Sequence, residues 1–269
     1  MSPSDALVRI ERHDDESYGT GWVAELVLDR PEAMNAVSTS MAEALASATR
    51  ALTTDEQVRA VVVTSTHPKA FCVGADLKER NRLTDEELRA QRPVARAAYR
   101  GVLDLPMPTI AAVDGFALGG GFEIALACDL IVLGSGALVG LPEVGVGVIP
   151  GGGGTQLLTR RVGWSRAASM IFRASKLSAP EADRLGVVDE LVEAGTARER
   201  ALSIAGEIAL NSPVGVRQAK RAMRAGFDTD LSRGLEIEDQ AWHATAFSGD
   251  RKEGVAAFAE KRRPVWPGR

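Results

Sequence analysis

The sequence predicts an α/β fold in which strand-and-helix units come first and helices alone follow. Short apolar runs that resemble strands recur through the first 195 residues, with glycine-containing turns and helical patterns between them. From Ala197 onward the apolar spacing is helical only. We therefore predict a core of repeated ββα units over residues 1–195 and a helical region over residues 196–269.

The first units can be placed from apolar runs and a capping residue. Trp22 to Leu28 is predicted to be a strand, and residues 31–37 a loop. Ser38 can cap a helix whose apolar stripe comprises Met41, Ala44, Leu45, Ala48 and Leu52. Two further strands are predicted, over residues 60–64 and from Ala70 into a glycine turn. The charged segment 78–91 is typical of a solvated helix or loop, which we favour over a specific ligand contact.

The central stretch runs from Ile110 to Glu143 and combines strands with a glycine turn. A buried strand over residues 110–113 precedes Gly119-Gly120-Gly121, and a helical pattern follows at once. A second strand is predicted over residues 129–133, and a third lies before the Leu-Pro-Glu turn that ends at Glu143. Further along, we predict helices over residues 155–162 and 165–172, a capping box at Ser178–Glu181 and a strand over residues 187–192.

The C-terminal region is predicted to contain four helices. Their apolar patterns cover residues 197–210, 213–226, 231–248 and 250–262. Pro213 suits the first position of a helix that Ser212 caps. No long linker separates this region from the core, so we expect it to pack on the core or on a neighbouring subunit.

Composition excludes several classes of protein. A chain of 269 residues with 45% hydrophobic residues can bury a sizeable core. The net charge of −4 gives no general signal for nucleic-acid binding, and no apolar run is long enough to span a membrane. The N-terminus lacks the pattern of a secretory signal, and the two cysteines lie in apolar contexts without metal-ligand spacing. We therefore expect a cytoplasmic protein with reduced cysteines and no metal site.

The glycines and carboxylates of the central stretch are candidates for a catalytic site. A glycine turn before a helix leaves backbone N–H groups open, and Glu123 and Glu143 flank this turn in sequence. Such a group could stabilise an oxyanion and move protons. The glycines match neither a dinucleotide fingerprint nor a P-loop. From spacing alone, tight packing explains the glycines equally well, and each glutamate alone is more typical of a first-turn or a solvated turn residue.

The chain resembles the enoyl-CoA hydratase/isomerase superfamily, also called the crotonase family, over nearly its whole length. The resemblance rests on NAV at residue 35, AFCVGADLKE at residue 70, PTIAAVDGFALGGGFEIALACD at residue 108, GLPEVGVGVIPGGGGTQLL at residue 140 and DRKEGVAAFAEKRRPVW at residue 250. It implies a spiral of ββα turns followed by a helical trimerisation region. It further implies a homotrimer or a dimer of trimers and an acyl-coenzyme A thioester as substrate, with no tightly bound cofactor.

The resemblance also implies roles for individual residues. The backbone N–H groups of Ala75 and Gly120 would form the oxyanion hole, Glu123 would take a proton from water, and Glu143 would give one to the α-carbon. Other residues would bind the substrate and its coenzyme A part: Ala33, Asn35, Ala36, Val37, Ala70, Gly74, Asp76, Leu77, Lys78, Gly119, Pro142 and Gly151, with Phe258 and Lys261 approaching the nucleotide from a neighbouring subunit.

The implied activity is that of an enoyl-CoA hydratase. A Δ3,Δ2-enoyl-CoA isomerase is the main alternative, although the presence of both glutamates favours hydration. LKER at residue 77 and the ALGGG-to-IPGGGGTQ segment resemble methylglutaconyl-CoA hydratases of the AU-RNA-binding type. RNA binding is not expected, because the helix near Arg80 to Arg100 carries arginines among acidic residues instead of a lysine-rich face. Outside the enzymes, the alternative is a non-catalytic acyl-CoA-binding or RNA-binding protein, which is less favoured.

Overall fold

The computed structural model describes residues 6–269, which form two β-sheets and their surrounding helices. The strands are β1 Val8–His13, β2 Trp22–Leu28, β3 Val58–Ser65, β4 Ala70–Cys72, β5 Thr109–Val113, β6 Phe116–Leu118, β7 Leu130–Gly134, β8 Leu138–Gly140, β9 Lys176–Ser178 and β10 Glu190–Val192. The helices are α1 Thr39–Thr54, α2 Leu77–Arg80, α3 Asp85–Leu103, α4 Gly120–Ala127, α5 Gly154–Val162, α6 Trp164–Phe172, α7 Ala179–Arg184, α8 Ala197–Ala209, α9 Pro213–Phe227, α10 Leu231–Ala246 and α11 Gly249–Glu260.

Successive strands of the core enter two different sheets, which produces the predicted ββα layering. The six-stranded sheet has the order β1-β2-β3-β5-β7-β10, and the four-stranded sheet has the order β4-β6-β8-β9. The consecutive pairs β3 and β4, β5 and β6, and β7 and β8 each give one strand to each sheet. Pairing along these repeats is parallel within each sheet. The predicted spiral of ββα units, which the resemblance implies, is therefore confirmed.

Helix α8 explains why the central strands are apolar on both faces. Its buried alanines recur every four residues and therefore form one stripe along the helix. This stripe packs on one face of the six-stranded sheet, while the other face belongs to the main core. The alanines are Ala197, Ala201, Ala205 and Ala209. The first helix of the region 196–269 thus packs on the core, whereas α10 and α11 pack with α9. The division at residue 195 stays a prediction.

Most predicted elements are present, with a few differences. Ser38 caps α1 by accepting a hydrogen bond from the N–H of Met41, and the capping box at Ser178–Glu181 begins α7. The strand predicted over residues 187–192 begins only at Glu190, because the Val187 N–H donates to the Ala182 carbonyl of α7 instead of pairing with a strand. Strands β1, β6 and β9 were not predicted. Helix α3 forms from Asp85 despite Pro93 in its interior.

Several large apolar side chains of α9, α10 and α11 remain exposed in the single chain. They are Met223, Phe227, Leu231, Leu235, Trp242, Val255 and Phe258. Among the described residues, no helix combines the length and apolar character needed to cross a bilayer. The interpretation that the N-terminus is not a secretory signal involves residues 1–5, which lie outside the described residues.

Candidate active site

Two glycine turns, one from each of two neighbouring ββα units, meet at the candidate site. The first turn follows β4 and contains Gly74, and the second follows β6 and contains Gly119 and Gly120. Gly74 has a φ of +91°, and a Cβ at this position would lie 2.7 Å from the Leu118 carbonyl oxygen and 3.0 Å from the Gly120 nitrogen. A residue with a side chain would therefore force the two turns apart.

The two predicted oxyanion-hole donors lie in these turns. A short parallel bridge joins Val37 to Ala75: the Val37 N–H donates to the Gly74 carbonyl, and the Asp76 N–H donates to the Val37 carbonyl. This bridge uses the groups on either side of the Ala75 N–H and leaves that N–H open. Gly120 is the first residue of α4, so its N–H has no partner in the helix. Within residues 6–269, neither N–H donates a hydrogen bond to another backbone group.

Glu123 lies in the first turn of α4, as predicted, and its residue is only 2% exposed. Its Oε1 accepts two backbone hydrogen bonds, from the Gly152 N–H at 2.7 Å and the Gly154 N–H at 2.8 Å. Burial raises the pKa of Glu123, and the hydrogen bonds from Gly154 and Gly152 oppose this rise. A Cβ at Gly152 would lie 2.8 Å from Oε2. The glycine run before α5 therefore holds Oε1 of this carboxylate, and within residues 6–269 no hydrogen bond reaches Oε2.

Glu143 begins a short 3₁₀ helix, Glu143–Val146, directly after Pro142. Its Oε2 is buried without a hydrogen-bond partner in the described part of the chain. Its Oε1 would lie 3.2 Å from a Cβ placed on Gly119, so this carboxylate faces the second glycine turn. Burial raises the pKa of Glu143 to about 7, and the nearby Glu123 carboxylate adds to the rise.

This arrangement can stabilise an oxyanion and transfer two protons. Two open N–H groups can bind a developing negative charge. Glu143 faces the second glycine turn, Glu123 is held by the glycine run before α5, and the Glu123 carboxylate is near enough to raise the pKa of Glu143. At neutral pH, Glu143 holds a proton in a substantial fraction of the molecules because its pKa is about 7. The two N–H bonds to Glu123 favour its ionised form. The environments thus suit Glu123 to accept a proton and Glu143 to donate one.

The loop over residues 33–37 lies beside the first glycine turn through the bridge between Val37 and Ala75. Asn35 is fully buried, and its side chain bonds Arg30, Ser65 and Phe71. Its side chain therefore supports the loop, and Ala33, Ala36 and Val37 are carried beside the turn with it.

The other predicted coenzyme A residues surround the same turns in different ways. Ala70 is buried in β4, and Asp76 caps α2 while it pairs with Arg30. Leu77 and Lys78 on α2 are exposed and open to a ligand. Pro142 directly precedes Glu143 in the chain. Gly151 directly precedes Gly152, whose N–H donates to the Glu123 carboxylate.

Phe258 and Lys261 lie at the end of α11, which packs against α9 and α10. Phe258 is 88% exposed. Within the described single chain, no hydrogen bond or ion pair joins either side chain to the glycine turns. Their contact with a nucleotide bound to a neighbouring subunit stays a prediction.

Two residues that contact the second glycine turn or the glycine run before α5 were missed in the sequence, both on α3. Tyr99 is buried between the second glycine turn and the glycine run: a Cβ at Gly152 would lie 2.7 Å from its Cγ, and a Cβ at Gly120 would overlap its hydroxyl. Arg92 donates from Nη2 to the Gly151 carbonyl at 2.7 Å. Their spacing of seven residues places both on one face of the helix. That helical spacing was not recognised in the sequence, because the segment is highly charged and contains a proline.

A cluster of possible metal ligands lies away from these turns. Ligand atoms of Glu11, His13 and Glu25 lie within 4.8 Å of one another. The Glu25 carboxylate already accepts two hydrogen bonds from Arg198 and contacts His13 at 2.7 Å. We interpret this cluster as an ion-paired link between β1, β2 and α8.

Comparisons with known proteins agree with this geometry. A family profile described as Enoyl-CoA hydratase/isomerase matches residues 19–269. The crystal structure of an enoyl-CoA hydratase from Bacillus anthracis superposes with a TM-score of 0.91 at 37% identity and covers 98% of this chain and 100% of that one. "Probable enoyl-CoA hydratase 2, mitochondrial" of Arabidopsis thaliana is 42% identical over 97% of this chain and 86% of its own length. The human mitochondrial methylglutaconyl-CoA hydratase is 40% identical over 100% of this chain and 79% of its own length. This chain belongs to the enoyl-CoA hydratase/isomerase family.

Proposed function

We propose that the protein is an enoyl-CoA hydratase, which adds water across the 2,3 double bond of an enoyl-CoA thioester. The observation that carries this proposal is the pair Glu123 and Glu143 beside the two open N–H groups of Ala75 and Gly120. Hydration needs both a proton acceptor and a proton donor, whereas binding alone needs neither. Membership of the family supports a coenzyme A thioester as the substrate and a reaction without a tightly bound cofactor.

In the proposed reaction, the oxygen of water bonds to the β-carbon while Glu123 takes a proton from that water. The electron pair of the double bond moves onto the thioester carbonyl, which becomes an enolate oxyanion. The N–H groups of Ala75 and Gly120 stabilise this charge, and removal of one such donor typically lowers a rate by ~10²–10³. Glu143 then gives its proton to the α-carbon, which yields the 3-hydroxyacyl thioester.

Methylglutaconyl-CoA hydratase is the second candidate, because the human enzyme of that name is 40% identical over the whole chain. The chemistry would be the same and only the acyl group would differ. An isomerase is less well supported, because a shift of the double bond can use one carboxylate for both proton transfers.

The decisive experiment mixes the purified protein with crotonyl-CoA and follows the loss of the conjugated thioester absorbance. We expect 3-hydroxybutyryl-CoA as the product, identified by mass spectrometry through the gain of one water. A parallel assay with a 3-enoyl-CoA distinguishes an isomerase, and 3-methylglutaconyl-CoA tests the second candidate. Failure to hydrate crotonyl-CoA, a series of longer and branched enoyl-CoAs, and 3-methylglutaconyl-CoA would refute the proposal.

We also propose that the active protein is a homotrimer or a dimer of trimers and is cytoplasmic. The exposed apolar residues of α9 to α11 support an assembly, since a monomer would leave them in water. No membrane or nucleic-acid partner is proposed.

A further inference from the structure

The peptide unit between Gly151 and Gly152 connects an arginine to the proposed catalytic base. Its N–H donates to Glu123 Oε1 at 2.7 Å. Its carbonyl, on the opposite side of the same peptide, accepts from Arg92 Nη2 at 2.7 Å. A guanidinium and a carboxylate therefore lie at the two ends of one peptide dipole, with a hydrogen bond at each end.

A cation at the carbonyl end of a peptide strengthens its N–H as a donor, because hydrogen bonds in a chain polarise one another. The stronger N–H favours the ionised form of the carboxylate that accepts from it. The positive charge of Arg92 acts in the same direction and lowers the pKa of Glu123 against the effect of burial. Both effects favour the form of Glu123 that can take a proton from water.

The local backbone is fitted to this contact. A Cβ at Gly151 would lie 3.1 Å from Arg92 Nη1, so the guanidinium packs closely on the glycine. A Cβ at Gly152 would lie 2.8 Å from Glu123 Oε2 and 2.7 Å from the ring of Tyr99. Arg92 at one end of the peptide, and Glu123 and Tyr99 at the other, therefore lie so close to the backbone that glycine, which has no Cβ, is the residue that fits best at positions 151 and 152.

We propose that Arg92 is a positioning residue for hydration, which holds the Gly151–Gly152 peptide so that its N–H donates to Glu123 and through that peptide favours the proton-accepting form of the carboxylate. This inference rests on the proposed function in one respect, the assignment of Glu123 as the base. It assigns a role in the reaction to an exposed arginine that does not belong to the carboxylate pair or the oxyanion hole.

Because other titratable groups surround Glu123, we expect the rate of hydration to fall at both low and high pH. Glu143, in the 3₁₀ helix, is the neighbouring carboxylate, and Tyr99 on α3 carries the buried phenol. Arg80 on α2 lowers the pKa of Glu143. Activity is lost at low pH when Glu123 is protonated and at high pH when Glu143 has lost its proton. Removal of Arg92 should therefore move the acid limb to higher pH and leave the alkaline limb in place.

The test compares Arg92→Ala and Arg92→Lys with a matched control, Arg96→Ala. Arg96 is an exposed arginine of the same helix and makes no side-chain hydrogen bond or ion pair in the described part of the chain. The rate of crotonyl-CoA hydration is measured as kcat and KM from pH 5 to 9. For Arg92→Ala we expect the acid limb at higher pH and kcat roughly 3- to 10-fold lower on that limb, the equivalent of one lost hydrogen bond. KM should change little, Arg92→Lys should recover part of the loss, and Arg96→Ala should follow the wild type.

A second measurement does not need turnover. The Glu123 carboxyl band is identified by infrared difference against Glu123→Gln and is then titrated in the wild type and in Arg92→Ala. The proposal requires a higher pKa of this band in Arg92→Ala. It is overturned if the two titrations coincide, or if Arg92→Ala raises KM and leaves kcat and the acid limb unchanged. A wild type without hydration activity would refute the proposed function, while the infrared titration would still decide the role of Arg92.

Discussion

Glu143→Gln should make the folded protein more stable at alkaline pH while it abolishes hydration. Glu143 is partly buried, and its Oε2 has no hydrogen-bond partner among residues 6–269. Burial and the neighbouring Glu123 carboxylate raise its pKa from 4.5 to about 7. The ionised side chain is therefore less favourable in the folded protein than in the unfolded chain, and the neutral glutamine removes this disadvantage.

The sign and the size follow from the two pKa values. A group whose pKa is raised on folding contributes stability below its unfolded pKa, and this contribution is lost as the pH rises through the folded pKa. The wild type should thus lose stability between pH 4.5 and about 7, and the variant should not. At 1.36 kcal/mol per pH unit, the full difference corresponds to about 3 kcal/mol. Partial exposure of the side chain reduces this to about 2 kcal/mol, or a rise in Tm of about 4 °C.

The assay is thermal unfolding of wild type and Glu143→Gln at pH 5 and pH 8.5, at equal protein concentration and equal oligomeric state. We expect similar Tm values at pH 5 and a higher Tm for the variant at pH 8.5. A Tm difference that is the same at both pH values would show that the effect is not due to the ionisation of Glu143. Asp183→Asn is a suitable control, because this carboxyl lies on α7, away from the site, and makes no ion pair in the described structure.

Three further predictions concern catalysis and assembly. Glu123→Gln should lower kcat by ~10²–10⁴ with little change in ligand affinity, and wild-type-like hydration by this variant would contradict the assignment. Ala75→Pro removes an oxyanion-hole N–H and should lower kcat by at least ~10², whereas Ala75→Ser keeps the N–H and should retain most activity; equal rates of the two folded variants would exclude this donor. Light scattering at micromolar concentration should give the mass of a trimer or hexamer, and a monomer would refute the proposed assembly.

The sequence predicted most of the fold because its strongest signals are local. The strand Trp22–Leu28 and the cap at Ser38 depend on residues that are neighbours in the chain, and both are present. Strands β6 and β9 have only three residues each, so their pairing depends on neighbours that are distant in sequence. Strand β1 lies at the edge of its sheet and reads VRIERH, in which charges outweigh the apolar alternation.

The sequence led to candidate positions for the carboxylates and the oxyanion hole, whose roles stay predictions, but not to the groups that hold them. Glu123 and Glu143 were assigned from the resemblance, and their juxtaposition could not follow from spacing alone. The run Gly151–Gly154 matched no known phosphate-binding pattern, and its contact with Glu123 spans about thirty residues of sequence. A backbone N–H that donates to a distant side chain cannot be recognised from the residue type, because almost every residue has one. A glycine, which permits close approach, is the one indication in the sequence.

We expect the proposed chemistry of this site and its acyl selectivity to depend on different parts of the chain. The proposed oxyanion hole consists of backbone N–H groups, and both hydrogen bonds to Glu123 come from backbone N–H groups. Substitution of side chains cannot remove these N–H groups without altering the turns. The side chains of Tyr99 and Arg92, in contrast, reach the same turns from α3, a helix whose exposed face is free to vary. Substitutions on α3 could thus change the volume of the pocket beside Glu123 and the pKa of Glu123, while the proposed proton transfer is retained. For this reason we expect differences in acyl preference between this protein and its relatives to depend on α3 more than on the glycine turns.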